Sequence, residues 1–236
     1  MRRIYTVLIL AMLALFGASP RPAFAAKAAD AREARDLVVK ARMTLGDFLV
    51  DRNYPWFQEN LQKAKAVLIF PEVLKAGFFW GGSGGTGVLS VRDEKTGAWS
   101  QPAFYTVGSV SFGLQIGAES AEVIMLAMSR KAIDSLYASS VKLGGDVAVA
   151  AGPYGAGVNK VIPADFISFA KTKGLYAGLD FEGSALAVRD SLNKAYYGRE
   201  VRPIDIVLKK EVSNPDSSAL IEALSQSRHE SREAVP

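Results

Sequence analysis

The chain has 236 residues, no cysteine, one histidine, and 28 Lys+Arg against 24 Asp+Glu. Without cysteine there can be no disulfide framework and no lipid attached through a cysteine, so stability has to come from a hydrophobic core. The positive charge is concentrated at the start. Arg2 and Arg3 precede an apolar run from Ile4 to Phe16, and Gly17, Pro20, Pro22 and the small-residue pattern Ala23-Phe24-Ala25 follow it. That run is too short to span a bilayer as a helix, and the three zones together predict a cleavable signal for export over residues 1–25. Its removal takes Arg2, Arg3 and Arg21 and no acid, which leaves 25 basic against 24 acidic residues and a net charge of +1. A nucleic-acid partner needs a basic footprint; the nearly neutral processed chain removes its main support, and none is expected. The expected location is exported, either periplasmic or secreted, at the periphery of a membrane.

About 210 residues remain, enough for one domain. Residues 30–50 predict an amphipathic helix. Asp30 and Glu33 have capping-box spacing, and Ala34, Leu37, Val38, Ala41, Leu45, Phe48 and Leu49 share one side at helical period. Arg35 and Arg42 border that stripe with Arg32 just beyond, and Asp36, Lys40 and Asp47 lie on the other flank. Pro55 suits the first turn of a second helix through about Lys65.

Strand patterns follow. Val67 to Phe70 is closed by Pro71; then come Gly77-Phe78-Phe79-Trp80, a glycine cluster from Gly81 to Gly87, and Val88 to Val91. Asp93 to Gly97 is a hairpin turn by composition. Trp99 to Val107, Val110 to Ile116, Ala121 to Met128, Val147 to Ala151, Phe166 to Ala170, Leu175 to Leu179 and Ser184 to Val188 read as further strands. Ser129 caps a short helix through Tyr137, Asp190 to Tyr197 forms another, and Ser217 to Ser225 a terminal one. The polar tail, 226–236, is expected to be disordered. Helices, then many short strands, then helices predict an α+β fold with an antiparallel multi-stranded sheet, barrel- or sandwich-like, over a single domain at 26–225.

Three chemical motifs fail on inspection. Gly82, Gly84 and Gly87 fit G-x-G-x-x-G, but a strand rather than a helix follows them, and no acid stands about 20 residues on for a ribose. Ser83 sits in G-x-S-x-G, yet the single histidine, His229, lies in the polar tail, where nothing fixes a base. One histidine and no cysteine leave only carboxylates for a metal, and the strand-like surroundings of Glu119 and Glu122 point them to opposite faces. No enzyme activity and no cofactor are expected.

An ordered series of short stretches carries more information than any single motif. It runs Lys65-Ala66-Val67-Leu68-Ile69-Phe70-Pro71, Gly77-Phe78-Phe79-Trp80-Gly81-Gly82, Gly113-Leu114-Gln115-Ile116-Gly117 and Leu143-Gly144-Gly145-Asp146-Val147. It continues with Ala151-Gly152-Pro153-Tyr154-Gly155, Lys173-Gly174-Leu175-Tyr176-Ala177-Gly178 and Ala195-Tyr196-Tyr197-Gly198. Together these resemble the SYLF domain family over residues 33–225. The resemblance implies a non-enzymatic domain that binds phospholipid headgroups, helped in eukaryotic members by an N-terminal amphipathic helix, with some members bundling actin. For an exported chain it implies affinity for phospholipid or an anionic membrane surface, and no actin partner is expected in that compartment. The alternative is a structural or interaction module of the cell envelope that recognises a protein. The residues expected to contact lipid are Arg32, Arg35 and Arg42 on the first helix, since basic residues beside an apolar stripe suit an interfacial helix. Phe78, Phe79 and Trp80 are expected with them, because three consecutive aromatics on a strand cannot all face one core.

Overall fold

The computed structural model describes residues 23–77, 80–112, 117–155, 162–172, 175–176 and 181–233. Helix α1, Ala23–Val50, crosses one face of a nine-stranded sheet and is followed by α2, Pro55–Leu61. The strands are β1 Ala66–Gly77, β2 Trp80–Val91, β3 Ala103–Phe112, β4 Gly117–Ala127, β5 Ser140–Lys142, β6 Val149–Ala151, β7 Phe166–Thr172, β8 Leu175–Tyr176 and β9 Ala185–Val188. The sheet order is β5-β9-β3-β2-β1-β4-β7-β6, with β8 also on β7. It curls into a half-barrel. Its pairs are antiparallel, as expected, except β6 with β7, which is parallel. The remaining helices are α3 Arg130–Ser135, α4 Asp190–Tyr197, α5 Pro203–Val207 and α6 Ser218–Glu233.

Alternation along the strands divides the apolar side chains between two cores. Leu68, Phe70, Leu89, Tyr105, Val123, Met125 and Phe166 form a first core on one face of the sheet and meet α3 and α5 through Ala132, Ile133, Ile206 and Val207. Val67, Ile69, Val88, Phe104, Ile124, Leu126 and Phe169 face the other way, against α1, α2, α4 and α6. The expected inward stripe of α1 is the centre of this second core. Ala34, Ala41, Leu45 and Phe48 are fully buried. Two buried polar contacts pin the helical layer to the sheet. The Tyr54 hydroxyl donates to the Ala170 carbonyl at 2.9 Å, and Trp99 Nε1 donates to the Leu224 carbonyl at 3.1 Å.

Several boundaries differ from expectation for physical reasons. Helix α1 begins at Ala23, so Asp30 is interior to it and caps nothing; the alanines from Ala23 to Ala29 are the strongest helix formers. Helix α6 continues to Glu233 through the polar run expected to be disordered. Helix α2 stops at Leu61, four residues short of Lys65. Pro71 does not close its strand. On one side Phe70 and Pro71 together oppose Gly87, because Ile69 pairs with Val88 and Glu72 with Thr86. On the other side the register slips between Phe70 and Val73. This is a β-bulge, one of the few places where a strand tolerates a residue without an N–H.

The bulge also exchanges the faces of the hairpin beyond it. Phe70 and Val73, three apart, both enter the first core. Glu72 and Leu74 therefore come out on the side of α1. The bulge explains two of the glycines as well. A Cβ on Gly87 would lie 2.3 Å from the Ile69 carbonyl oxygen and 2.5 Å from the Phe70 ring, and one on Gly85 would lie 2.4 Å from the Glu72 carbonyl oxygen. The glycine cluster is thus a strand approached closely by its neighbour rather than a turn.

Candidate functional site

The outward side of α1 carries a second, smaller apolar row. Val39, Met43 and Val50 are 53 %, 58 % and 79 % exposed, although the other large apolar side chains described on the helix are buried wholly or in part. With Gly46, where an added Cβ would meet nothing within 4 Å, they recur at spacings of four, three and four, which is one line along a helix. Arg35 and Arg42 run along one edge of this row and Asp36, Lys40 and Asp47 along the other; all five are exposed. Among the described residues the helix forms two ion pairs, Arg32–Asp36 at 3.8 Å and Glu33–Arg189 at 3.7 Å. Arg35 and Arg42 have no carboxylate partner there. The expected trio is therefore split: Arg32 is neutralised by the next turn, while Arg35 and Arg42 flank exposed apolar surface.

Beside the helix a groove of about 530 Å³ opens against the distal half of the β1–β2 hairpin. Its helical wall includes Ala29, Leu37 and Lys40, its strand wall Pro71, Glu72 and Leu74, and its floor Gly84, Gly85 and Thr86. Leu74 is 56 % exposed, placed here by the bulge. Gly84 is exposed, and a Cβ on it would touch only the Val107 carbonyl oxygen, at 3.7 Å. Sequence reading missed both the row and the groove. The row had a signal in the apolar spacing from Val39 to Val50; the groove had none, since it depends on the bulge.

A polar corner closes the C-terminal end of α1. Asp51 pairs with Lys171 at 2.9 Å with both side chains mostly buried. The Asn53 amide N–H, and then the Lys171 ammonium, hold the Asp51 carboxyl below its usual range. Thr44 Oγ1 donates to Glu122 Oε1 at 2.8 Å. These bonds fix the helix on the sheet.

Phe78 and Phe79 lie outside the described residues. Trp80 begins β2 opposite Phe112, and its side chain is not among those described. The aromatic half of the expected surface therefore lies outside what the structure describes. Ser83 stands within β2, its Oγ 2.8 Å from Ser109 Oγ, and not on a strand-to-helix turn. Glu119 and Glu122 are on a strand, as expected, and Glu119 is exposed while Glu122 is half-buried. Among the described residues no group of three or more potential ligands could hold a metal ion, and no helix is long and apolar enough to cross a membrane.

A curled sheet carrying a long helix, with apolar surface left open along that helix, defines an α+β domain with a candidate surface site. Residues 108–227 match the Ysc84 family, described as Las17-binding protein actin regulator, and the chain belongs to that family. It is the family whose domain is called SYLF. The chain is 35 % identical over 148 residues to an SH3 domain-containing protein of Schizosaccharomyces pombe, covering 60 % of this chain and 34 % of that one. It is 34 % identical over 145 residues to protein YSC84 of Saccharomyces cerevisiae, covering 58 % and 31 %. It is 30 % identical over 152 residues to the human SH3 domain-containing YSC84-like protein 1, covering 62 % and 44 %. The matched part thus spans from about a third to under half of these relatives' length. A family described by actin regulation does not favour the expectation of no actin partner.

Proposed function

We propose that this chain is an exported, non-enzymatic lipid-binding protein that docks reversibly on anionic membrane surfaces through the outward row of α1. One observation carries the reading: Val39, Met43 and Val50 are exposed in line beside Arg35 and Arg42, which no carboxylate neutralises among the described residues. An apolar row with a cationic edge is the composition of a helix lying in the interface plane. Each cation near an anionic surface contributes about 1 kcal/mol, so attachment through this row is weak and sensitive to salt. Co-sedimentation of the protein with phosphatidylglycerol vesicles at low salt tests it. Strong recovery that drops when Arg35 and Arg42 become Glu supports the reading. Equal recovery of the double variant sinks the helix version, and no vesicle binding by the wild type sinks the whole.

A protein partner is the second reading, favoured by the family's description as Las17-binding and actin-regulating. Affinity capture that returns one stoichiometric protein and no lipid would support it. Co-sedimentation with filamentous actin checks the actin case directly.

A further inference from the structure

The groove between α1 and the β1–β2 hairpin differs from the outward row in that it is concave, has two glycines and Thr86 for a floor, and carries charges of both signs. We propose that it holds one phospholipid with a zwitterionic, amine-bearing headgroup of the phosphatidylethanolamine kind, an acyl chain lying over the glycine floor. The inference rests on the lipid-binding reading and goes beyond it, by assigning a cargo site separate from the membrane-docking row.

The roughly 530 Å³ groove falls within the ~300–1,000 Å³ usual for ligand sites, room for a headgroup and part of one acyl chain, with the rest of the lipid outside it. From Ala29 to Lys40 the helical wall extends roughly 16 Å, which makes the groove elongated. Its apolar parts are Leu37, Pro71 and Leu74, with bare backbone at Gly84. The two close-approach glycines explain themselves through the bulge; Gly84 does not, because its Cβ position is open. A side chain there would fill the groove.

The charges identify the headgroup. Lys40 stands on the helical wall and Glu72 on the strand wall of the same groove. Among the described residues neither has an ion-pair partner, and Glu72 receives only a 3.4 Å hydrogen bond from the Ser120 hydroxyl. Opposite charges that share a groove without meeting suit a ligand that itself carries both: a phosphate for Lys40 and an ammonium for Glu72. A purely anionic headgroup would face Glu72 and Asp36 unfavourably.

Native mass spectrometry of the full chain with monomeric short-chain phosphatidylethanolamine, phosphatidylglycerol or free phosphoethanolamine tests this. The expected result is a one-to-one adduct with phosphatidylethanolamine, roughly tenfold weaker uptake of phosphatidylglycerol, and no adduct with the free headgroup. Gly84→Leu, and separately Leu74→Asp on the exposed wall, should each weaken the adduct by about tenfold while leaving co-sedimentation on phosphatidylglycerol vesicles unchanged. Glu72→Gln should abolish the preference between the two lipids. Wild-type protein that binds vesicles but takes up no single lipid overturns the groove proposal and leaves the docking reading intact. Equal uptake of both lipids, uptake of free phosphoethanolamine as tight as of the lipid, or wild-type affinity in both wall variants also overturns it.

Discussion

The inward and outward sides of α1 carry apolar residues of similar type in opposite circumstances. On the inward side Ala34, Ala41, Leu45 and Phe48 are excluded from water by the sheet and by α4 and α6. On the outward side Val39, Met43 and Val50 stay largely exposed. The first set is needed for the fold. The second lowers solubility without adding to the core, which is the kind of exposed apolar surface that marks an interaction site. A hydrophobic stripe on a helix therefore does not by itself tell membrane from core; what separates them is which stripe the rest of the chain covers.

The largest effect that would break this contrast belongs to Phe48→Ala. Truncating a fully buried ring should cost about 3–5 kcal/mol in chemical denaturation, against no more than ~0.5 kcal/mol for Met43→Ser. A matching loss at Met43 would place the outward row in a packed interface. Next comes the double change of Arg35 and Arg42 to Glu, which removes two cations worth about 1 kcal/mol each at an anionic surface. Vesicle recovery should fall well over tenfold with the denaturation midpoint unchanged.

A similar contrast holds within the glycine run. Gly87→Ala should destabilise by roughly 1–3 kcal/mol, because its methyl group would overlap the bulged strand. Gly84→Ala should stay within ~0.5 kcal/mol, since its Cβ meets only one atom in ordinary contact. Equal losses at the two positions would remove the distinction between structural and groove-lining glycines.

A smaller effect lies far from the helix. Lys209, followed by the Arg202 backbone N–H, lowers the Asp205 carboxyl to about 2. Because the folded value is depressed, this contribution is complete above the unfolded carboxylate value of ~3.9 and is lost as pH falls toward about 2. Asp205→Asn should flatten that part of the acid limb of a stability–pH curve, and Asp205→Ala should cost about 1 kcal/mol at neutral pH by losing the contact at the start of α5.

Much of the fold was legible because local signals agreed with tertiary demands. Ser129 caps α3 as its position suggests, accepting from the Ala132 N–H at 3.0 Å. Helix α4 spans the expected Asp190–Tyr197 and ends at Gly198 in the left-handed region, with φ 74°. Asp93 organises its turn by accepting from Lys95 and Thr96. The failures came where a long-range pairing decides the outcome. Pro71 looks like a strand terminus until two neighbouring strands are seen to accommodate it. The candidate site was half legible: the arginine edge was visible on a helical wheel, but which apolar side it borders, and the groove beside it, depend on contacts between residues far apart in the chain.

The Pro71 bulge sets the phase of the distal hairpin in a way that point substitutions do not probe. Drawing Pro71 into a regular pleat would turn the strand beyond it over, driving Glu72 toward the core that holds Phe70, and Val73 out of it, whereas deleting Pro71 would leave both on the faces they now occupy. For this segment the bulge acts as a phase correction, much as a compensating frameshift does for a message: side-chain chemistry beyond residue 71 keeps its meaning because the extra residue is set outside the alternation.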